Sequence, residues 1–222
     1  MLTNKKAKVI GFYGIDIYDI ILYSASLIAN MGKSILLIDN SEHKALSYCI
    51  KTPSQVNLKE NIIHDRGIDF IIENSYLKFI YEYEYIFVDY GFTTFSQEIY
   101  HSDKIIYITD VQLHNIDRII KFDKLTMEDN TYLVIRDVFK KDNFKYIIEL
   151  FIDNGLVIDG YSTLNDGYLE KRMRASIQFG KRLQYKSLSY MIQSLVEKIL
   201  TDILDISKEQ YSVAYRRMKR GA

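Results

Sequence analysis

The chain has 222 residues, 48% of them hydrophobic and 26% charged, with 29 basic residues balanced by 29 acidic ones. That size suits one α/β domain and is short for two independent ones, and the neutral balance gives no overall pull toward nucleic acid or an anionic membrane. The lone Cys49 excludes an internal disulfide and a cysteine-cluster metal site, and no run approaches the ~20 apolar residues that would span a bilayer.

Met1 to Lys8 is polar and short, so no leader is expected and the chain is read as soluble and cytoplasmic. Lys8-Val9-Ile10 reads as a buried first strand, and Ile17, Ile20, Ile21, Ser24, Leu27, Ile28 and Met31 recur at helical spacing behind it. Between them runs Gly11-Phe12-Tyr13-Gly14-Ile15-Asp16-Ile17-Tyr18-Asp19. A strand, a loop and a helix in this order form the unit that binds phosphate when the loop is glycine-rich and carries a lysine. This loop has no lysine, and Asp16 and Asp19 are expected to bring carboxylates to the helix N-terminus, where the backbone dipole favours an anion.

Ser34 to Asp39 is a second apolar run ending in a carboxylate. Ser41 to Ile50 predicts a short helix broken by Thr52-Pro53-Ser54, followed by a strand over Gly67 to Ile72 and a short helix near Tyr76 to Tyr81. Tyr85-Ile86-Phe87-Val88-Asp89 is again apolar with a terminal aspartate. Strands at Lys104 to Ile108, Tyr132 to Ile135 and Leu156 to Ile158 alternate with helices around Ile116 to Ile120 and Phe144 to Phe151. A long helix follows from Leu188 to Ile203, and Ser207 onward reads as a tail. The alternation predicts an α/β fold, a mostly parallel central sheet with helices on both faces. Ligands of such sheets sit beyond the carboxyl ends of the strands, an edge that should carry the first loop, Asp39, Asp89, Tyr90-Gly91-Phe92 and Thr109-Asp110.

With its strands in this order the chain resembles the ParA/MinD family of deviant Walker A ATPases. The likeness rests on Gly32-Lys33-Ser34-Ile35-Leu36-Leu37-Ile38-Asp39, on Tyr83-Glu84-Tyr85-Ile86-Phe87-Val88-Asp89, which is similar to the family's Walker B strand, and on Gly180-Lys181 with the helix that follows. Counting back from Gly32, the family's phosphate loop falls on Phe12, Tyr13, Gly14, Ile15, Asp16, Ile17 and Tyr18, and of its residues only Gly14 survives. The signature lysine is Phe12, the phosphate-binding lysine is Ile17 and the magnesium-binding threonine is Tyr18.

The resemblance therefore implies a P-loop NTPase-like domain over residues 1–205 with a basic C-terminal tail over 206–222, degenerate and without ATP hydrolysis. No cofactor or metal is expected, and Asp39 and Asp89 become relic acids that cap neighbouring backbone. The aromatic edge, Tyr13, Ile15, Tyr18, Tyr90, Phe92 and Phe95, is the expected interface of a homodimer. The role implied is a localisation or assembly factor at the membrane or cell pole, with TadZ-type pilus proteins nearest by role and proteins of a membrane-associated assembly as partners. Two alternatives accompany it. One is a switch that binds ATP and magnesium through a remodelled loop with Asp39 and Asp89. The other is a DNA-partition accessory using Lys171, Arg172, Arg174, Lys181, Arg182 and Lys186, although the neutral charge makes nucleic acid an unexpected partner. The basic stretch Tyr211 to Arg220 is read as solvated, with peripheral membrane contact as its alternative.

Overall fold

The structure, a computed structural model, describes residues 5–15, 17–50, 62–93, 97–126, 131–139, 144–179, 183 and 185–220. β1 (Lys8–Gly14) leads into α1 (Tyr18–Asn30) and β2 (Ile35–Asp39). The hairpin β3 (Ile63–Asp65) and β4 (Ile68–Ile72) precedes β5 (Tyr85–Asp89). β6 (Lys104–Thr109), α2 (Leu113–Thr126), β7 (Thr131–Ile135), α3 (Phe144–Asp153) and β8 (Ile158–Thr163) continue the alternation. Three helices close the described chain: α4 (Tyr168–Gln178), α5 (Tyr190–Lys198) with a π-helical turn over Ile199–Ile203, and α6 (Lys208–Arg220).

The strands form one sheet in the order β3-β4-β2-β5-β1-β6-β7-β8, parallel throughout except for the β3–β4 pair. Because successive side chains of a strand point to opposite faces, each central strand feeds two cores. Ile10 and Phe12 of β1 join Leu37, Phe87 and Ile106 under α1, α5 and α6, whereas Val9 and Tyr13 join Leu36, Val88 and Tyr107 under α2 and α3. α1 is buried on nearly every side from Tyr18 to Ile28, which explains why its sequence is apolar around most of its circumference.

Four departures from the sequence reading have local causes. The helix expected over Ser41 to Ile50 is a single 3₁₀ turn at Ser47–Cys49. There the Asp39 carboxylate accepts the N–H groups of Ser41 (3.1 Å) and Ser47 (3.2 Å), and Ser41 Oγ accepts that of Lys44 (3.1 Å). Side-chain acceptors thus take donors that a helix would have paired internally. The helix near Tyr76 is likewise one turn, Tyr76–Lys78, capped by Ser75. The strand expected at Leu156 to Ile158 runs instead from Ile158 to Thr163. The segment expected as a tail from residue 206 forms α6, whose Tyr211 and Ala214 share the core under α1 and α5. Thr52, Pro53, Ser54, Gly180 and Lys181 lie outside the described residues. Among the described residues no helix is long and apolar enough to cross a membrane.

Candidate functional site: the carboxyl edge of the sheet

At this edge β1 runs four residues further than its apolar start suggested, so Phe12, Tyr13 and Gly14 are strand and not loop. Phe12 stands opposite Asp89 of β5, and Gly14 opposite Ile108 of β6. Phe12 is fully buried and meets Phe87 edge-on, 5.3 Å between ring centres. Tyr13 stacks on Phe122 at 3.9 Å and meets Phe92 edge-on at 5.6 Å, and burial pushes its hydroxyl pKa up to about 12.

Gly14 is held by the sheet. Its φ is +143°, and a Cβ there would lie 1.8 Å from the Ile108 carbonyl oxygen. Its N–H donates to the Gly91 carbonyl at 2.8 Å, and the N–H of Ile15 donates to that of Ile108 at 3.1 Å. These two backbone donors point at the protein itself. Ile17 is buried at the N-cap of α1 without a side-chain cap. Tyr18 is buried too, and its hydroxyl donates to the Arg174 carbonyl at 3.2 Å. Asp16 lies outside the described residues.

Asp19 does not offer a free charge at the helix N-terminus. Arg136, which directly follows β7, grips it with two parallel bonds of 2.8 and 2.9 Å. The same guanidinium bonds Asp166 through Nε at 2.9 Å, and Arg174 approaches Asp166 at 3.4 Å. Arg136, Asp19 and Asp166 are all buried. Burial works against the charge on Arg136, but the two carboxylates outweigh it and raise its pKa above the ordinary value. Nothing in the local sequence marks Arg136 as an internal cation. Its position after the apolar run Tyr132 to Ile135, at the same edge as Asp19, is the one available signal.

Asp39 and Asp89 are register partners at the ends of β2 and β5. Asp39 has both oxygens engaged: Ser41 donates to one from both backbone and hydroxyl, the latter at 2.6 Å, and Ser47 donates to the other. Burial still raises its pKa, against those donors. Asp89 receives the Gly91 N–H at 2.9 Å. Burial first, and the neighbouring Asp39 second, raise its pKa to about 8. Two adjacent carboxylates in a low dielectric favour sharing one proton, and the less well solvated of them keeps it.

A cleft of about 320 Å³ opens over the junction of β1 and α1, lined by Gly14, Ile15 and Ile17 of that junction and by His43, Asp89, Phe92, Asp110 and Arg118 among others. The Arg118 guanidinium lies 4.9 Å from the centre of the Phe92 ring. Asp110 accepts the Gln112 N–H at 2.8 Å and the Asn115 side-chain amide at 3.0 Å. Of the residues expected to form a dimer face, Tyr13, Tyr18 and Tyr90 are instead interior, turned into the two cores by strand alternation and helix packing. Ile15 and Phe92 remain partly exposed on the cleft, and Phe95 lies outside the described residues.

The basic cluster is partly neutralised, since Lys171 pairs with Asp137 at 2.7 Å and Arg174 with Asp166, while Lys181 and Arg182 lie outside the described residues. Among the described residues no group of three His, Cys, Asp or Glu side chains could hold a metal ion.

No protein-family model and no curated protein sequence matches the chain. Solved structures do. A ParA family ATPase from Chlorobium tepidum superposes with a TM-score of 0.62 at 16% identity, covering 87% of this chain and 98% of that one. The McdA–ATP complex of Cyanothece gives 0.64 at 8% identity, with coverage of 92% and 99%. The MinC:MinD cell division protein complex of Aquifex aeolicus gives 0.54 at 14% identity, with coverage of 96% and 95%. The chain thus has a ParA/MinD-like fold, the α/β architecture of the P-loop NTPases, and at these identities the likeness is one of fold.

Proposed function

We propose that this is a catalytically silent ParA/MinD-like protein, a localisation or assembly factor that works by binding protein partners at the open part of its carboxyl edge. One observation carries the reading: the Gly14 and Ile15 N–H groups are engaged by the Gly91 and Ile108 carbonyls. A phosphate cradle needs such donors free and a cation beside them. Lysine is absent from Gly11 to Asp19, and the two family lysine positions are the buried Phe12 and Ile17.

A magnesium-bound triphosphate, which the fold family implies, does not fit these described residues. Asp39 already has both oxygens engaged, Asp89 is disposed to hold a proton at neutral pH, and Tyr18 replaces the metal-binding hydroxyl with a buried ring bonded to Arg174. The MinD of Aquifex aeolicus, similar in fold, is found in complex with the protein MinC, which is the kind of activity proposed here. A pilus or secretion apparatus is the assembly we favour, by analogy of fold. The dimer proposal now rests on Ile15 and Phe92, because Tyr13, Tyr18 and Tyr90 are interior.

Calorimetry with ATP and magnesium, together with a phosphate-release assay, tests the reading. No heat of binding and no turnover are expected. Tight uptake of ATP that disappears in Asp89→Ala would replace it with the switch reading.

A further inference from the structure

The open cleft has a chemistry of its own. Asp89 is only 2% exposed and lines the cleft. One of its oxygens receives the Gly91 N–H, and among the described residues the other has no hydrogen-bond donor. Asp110, on the same cleft, has donors only for one oxygen, from Gln112 and Asn115. Neither acid makes an ion pair among the described residues. On the same cleft Phe92 holds the Arg118 guanidinium against its ring, so this aromatic side chain is one that attracts cations. Ile15 supplies an apolar neighbour in the same cleft.

We propose that the cleft receives a cationic side chain, a lysine ammonium or an arginine guanidinium, presented by a partner protein. Its charge meets the free oxygens of Asp89 and Asp110, and its methylene stem lies along Ile15 and Phe92. This rests on the reading of the edge as a protein-contact surface and names what that surface selects. A long basic side chain suits such a site because its stem buries apolar area while its head finds carboxylate. An anionic ligand would meet Glu42, Asp89 and Asp110 against Arg118 and the imidazole of His43.

The groups that act on Asp89 set a pH dependence. Asp39 faces it from β2 and favours its protonated form, while Lys44, the Gly91 N–H and any arriving cation favour the carboxylate. Burial keeps Asp89 protonated up to a pH of about 8. A cation must displace that proton, so apparent affinity should fall about tenfold per pH unit below that value and level off above it. The lysine ammonium itself stays charged across this range.

The test uses the full chain and a short Gly/Ser peptide with one central lysine, titrated by calorimetry at pH 6.5 and 8.5. A second peptide with that lysine acetylated is the control, and spermidine separates a free polyamine from a protein-borne cation. Saturable binding of the lysine peptide is expected, more than tenfold tighter at pH 8.5, lost on acetylation and lost in Asp89→Asn. The Asn variant keeps the acceptor for Gly91 and mimics protonated Asp89, so the fold is preserved, as circular dichroism would verify. Equal binding of the acetylated peptide, no binding at pH 8.5, or unchanged binding by Asp89→Asn would overturn the proposal, as would binding of spermidine alone. ATP with magnesium in the same calorimeter separates the two readings: silence from both ligands removes only the cation site, whereas uptake of ATP removes the proposed function.

Discussion

The two halves of the carboxyl edge solve the same problem differently. On the β1–α1 side, the buried Arg136 is answered by Asp19 and Asp166, and the Gly14 and Ile15 N–H groups at the end of β1 by neighbouring carbonyls. On the other side, a cleft of about 320 Å³ leaves carboxylate oxygens of Asp89 and Asp110 without donors among the described residues. A site that is internally satisfied has little left to offer a ligand. One that is half-satisfied still has binding energy available, so function is better sought at the free carboxylate oxygens of the cleft than at the engaged backbone donors of Gly14 and Ile15.

The comparison predicts steep costs on the closed side. Arg136→Ala leaves the buried Asp19 carboxylate unpaired and Asp166 with only Arg174 at 3.4 Å, and should lower unfolding free energy by about 3–5 kcal/mol in urea denaturation. A loss under about 1 kcal/mol would mean that the network is solvated and that this half is not closed. Gly14→Ala comes next, at about 3 kcal/mol, because its Cβ would strike the Ile108 carbonyl and its φ is left-handed. Thermal melts can measure it, and a tolerant variant would show that β1 does not pack against β6 through Gly14.

On the open side the effects are smaller, and that of Asp89 depends on pH. The folded-state pKa of Asp89 lies above its unfolded value, so the folded form holds the proton more tightly and stability falls as pH rises from about 4 to about 8. Asp89→Asn removes that slope. It should match the parent near pH 4 and exceed it by on the order of a few kcal/mol at pH 8.5, since each unit of raised pKa costs ~1.4 kcal/mol. Parallel stability curves for the two proteins would place Asp89 in contact with water. Phe92→Ala, half-exposed on the cleft, should cost no more than about 1 kcal/mol while weakening the binding of the lysine peptide. Equal peptide affinity in that variant would move the cation away from the Phe92 ring.

Much of the fold was legible because it is written in local periodicity. Continuous apolar runs such as Ile35 to Ile38 and Ile86 to Val88 mark strands buried on both faces, and Ile116, Ile119 and Ile120 mark a helix face. β3 was less legible, with three residues of which only Ile63 is apolar. α6 was hidden by its charge, since its basic residues drew attention while Tyr211 and Ala214 supplied the packing face. The site divides in the same way. Asp39 and Asp89 were placed at one edge from their strand-terminal positions, but the aromatic residues near them were assigned outward when three of them point inward.

By itself the amino-acid sequence determined the α/β class, the order of most elements, the acids at the ends of β2 and β5, and the absence of lysine from the first loop. These are properties of residue type and near-neighbour spacing. Only the tertiary structure decided that β1 continues to Gly14, that Asp19 is matched by Arg136 and that Asp89 keeps a free oxygen toward the cleft. Asp19 and Arg136 are 117 residues apart, and whether a carboxylate is neutralised or left open depends on which distant group the folded sheet brings within about 3 Å of it.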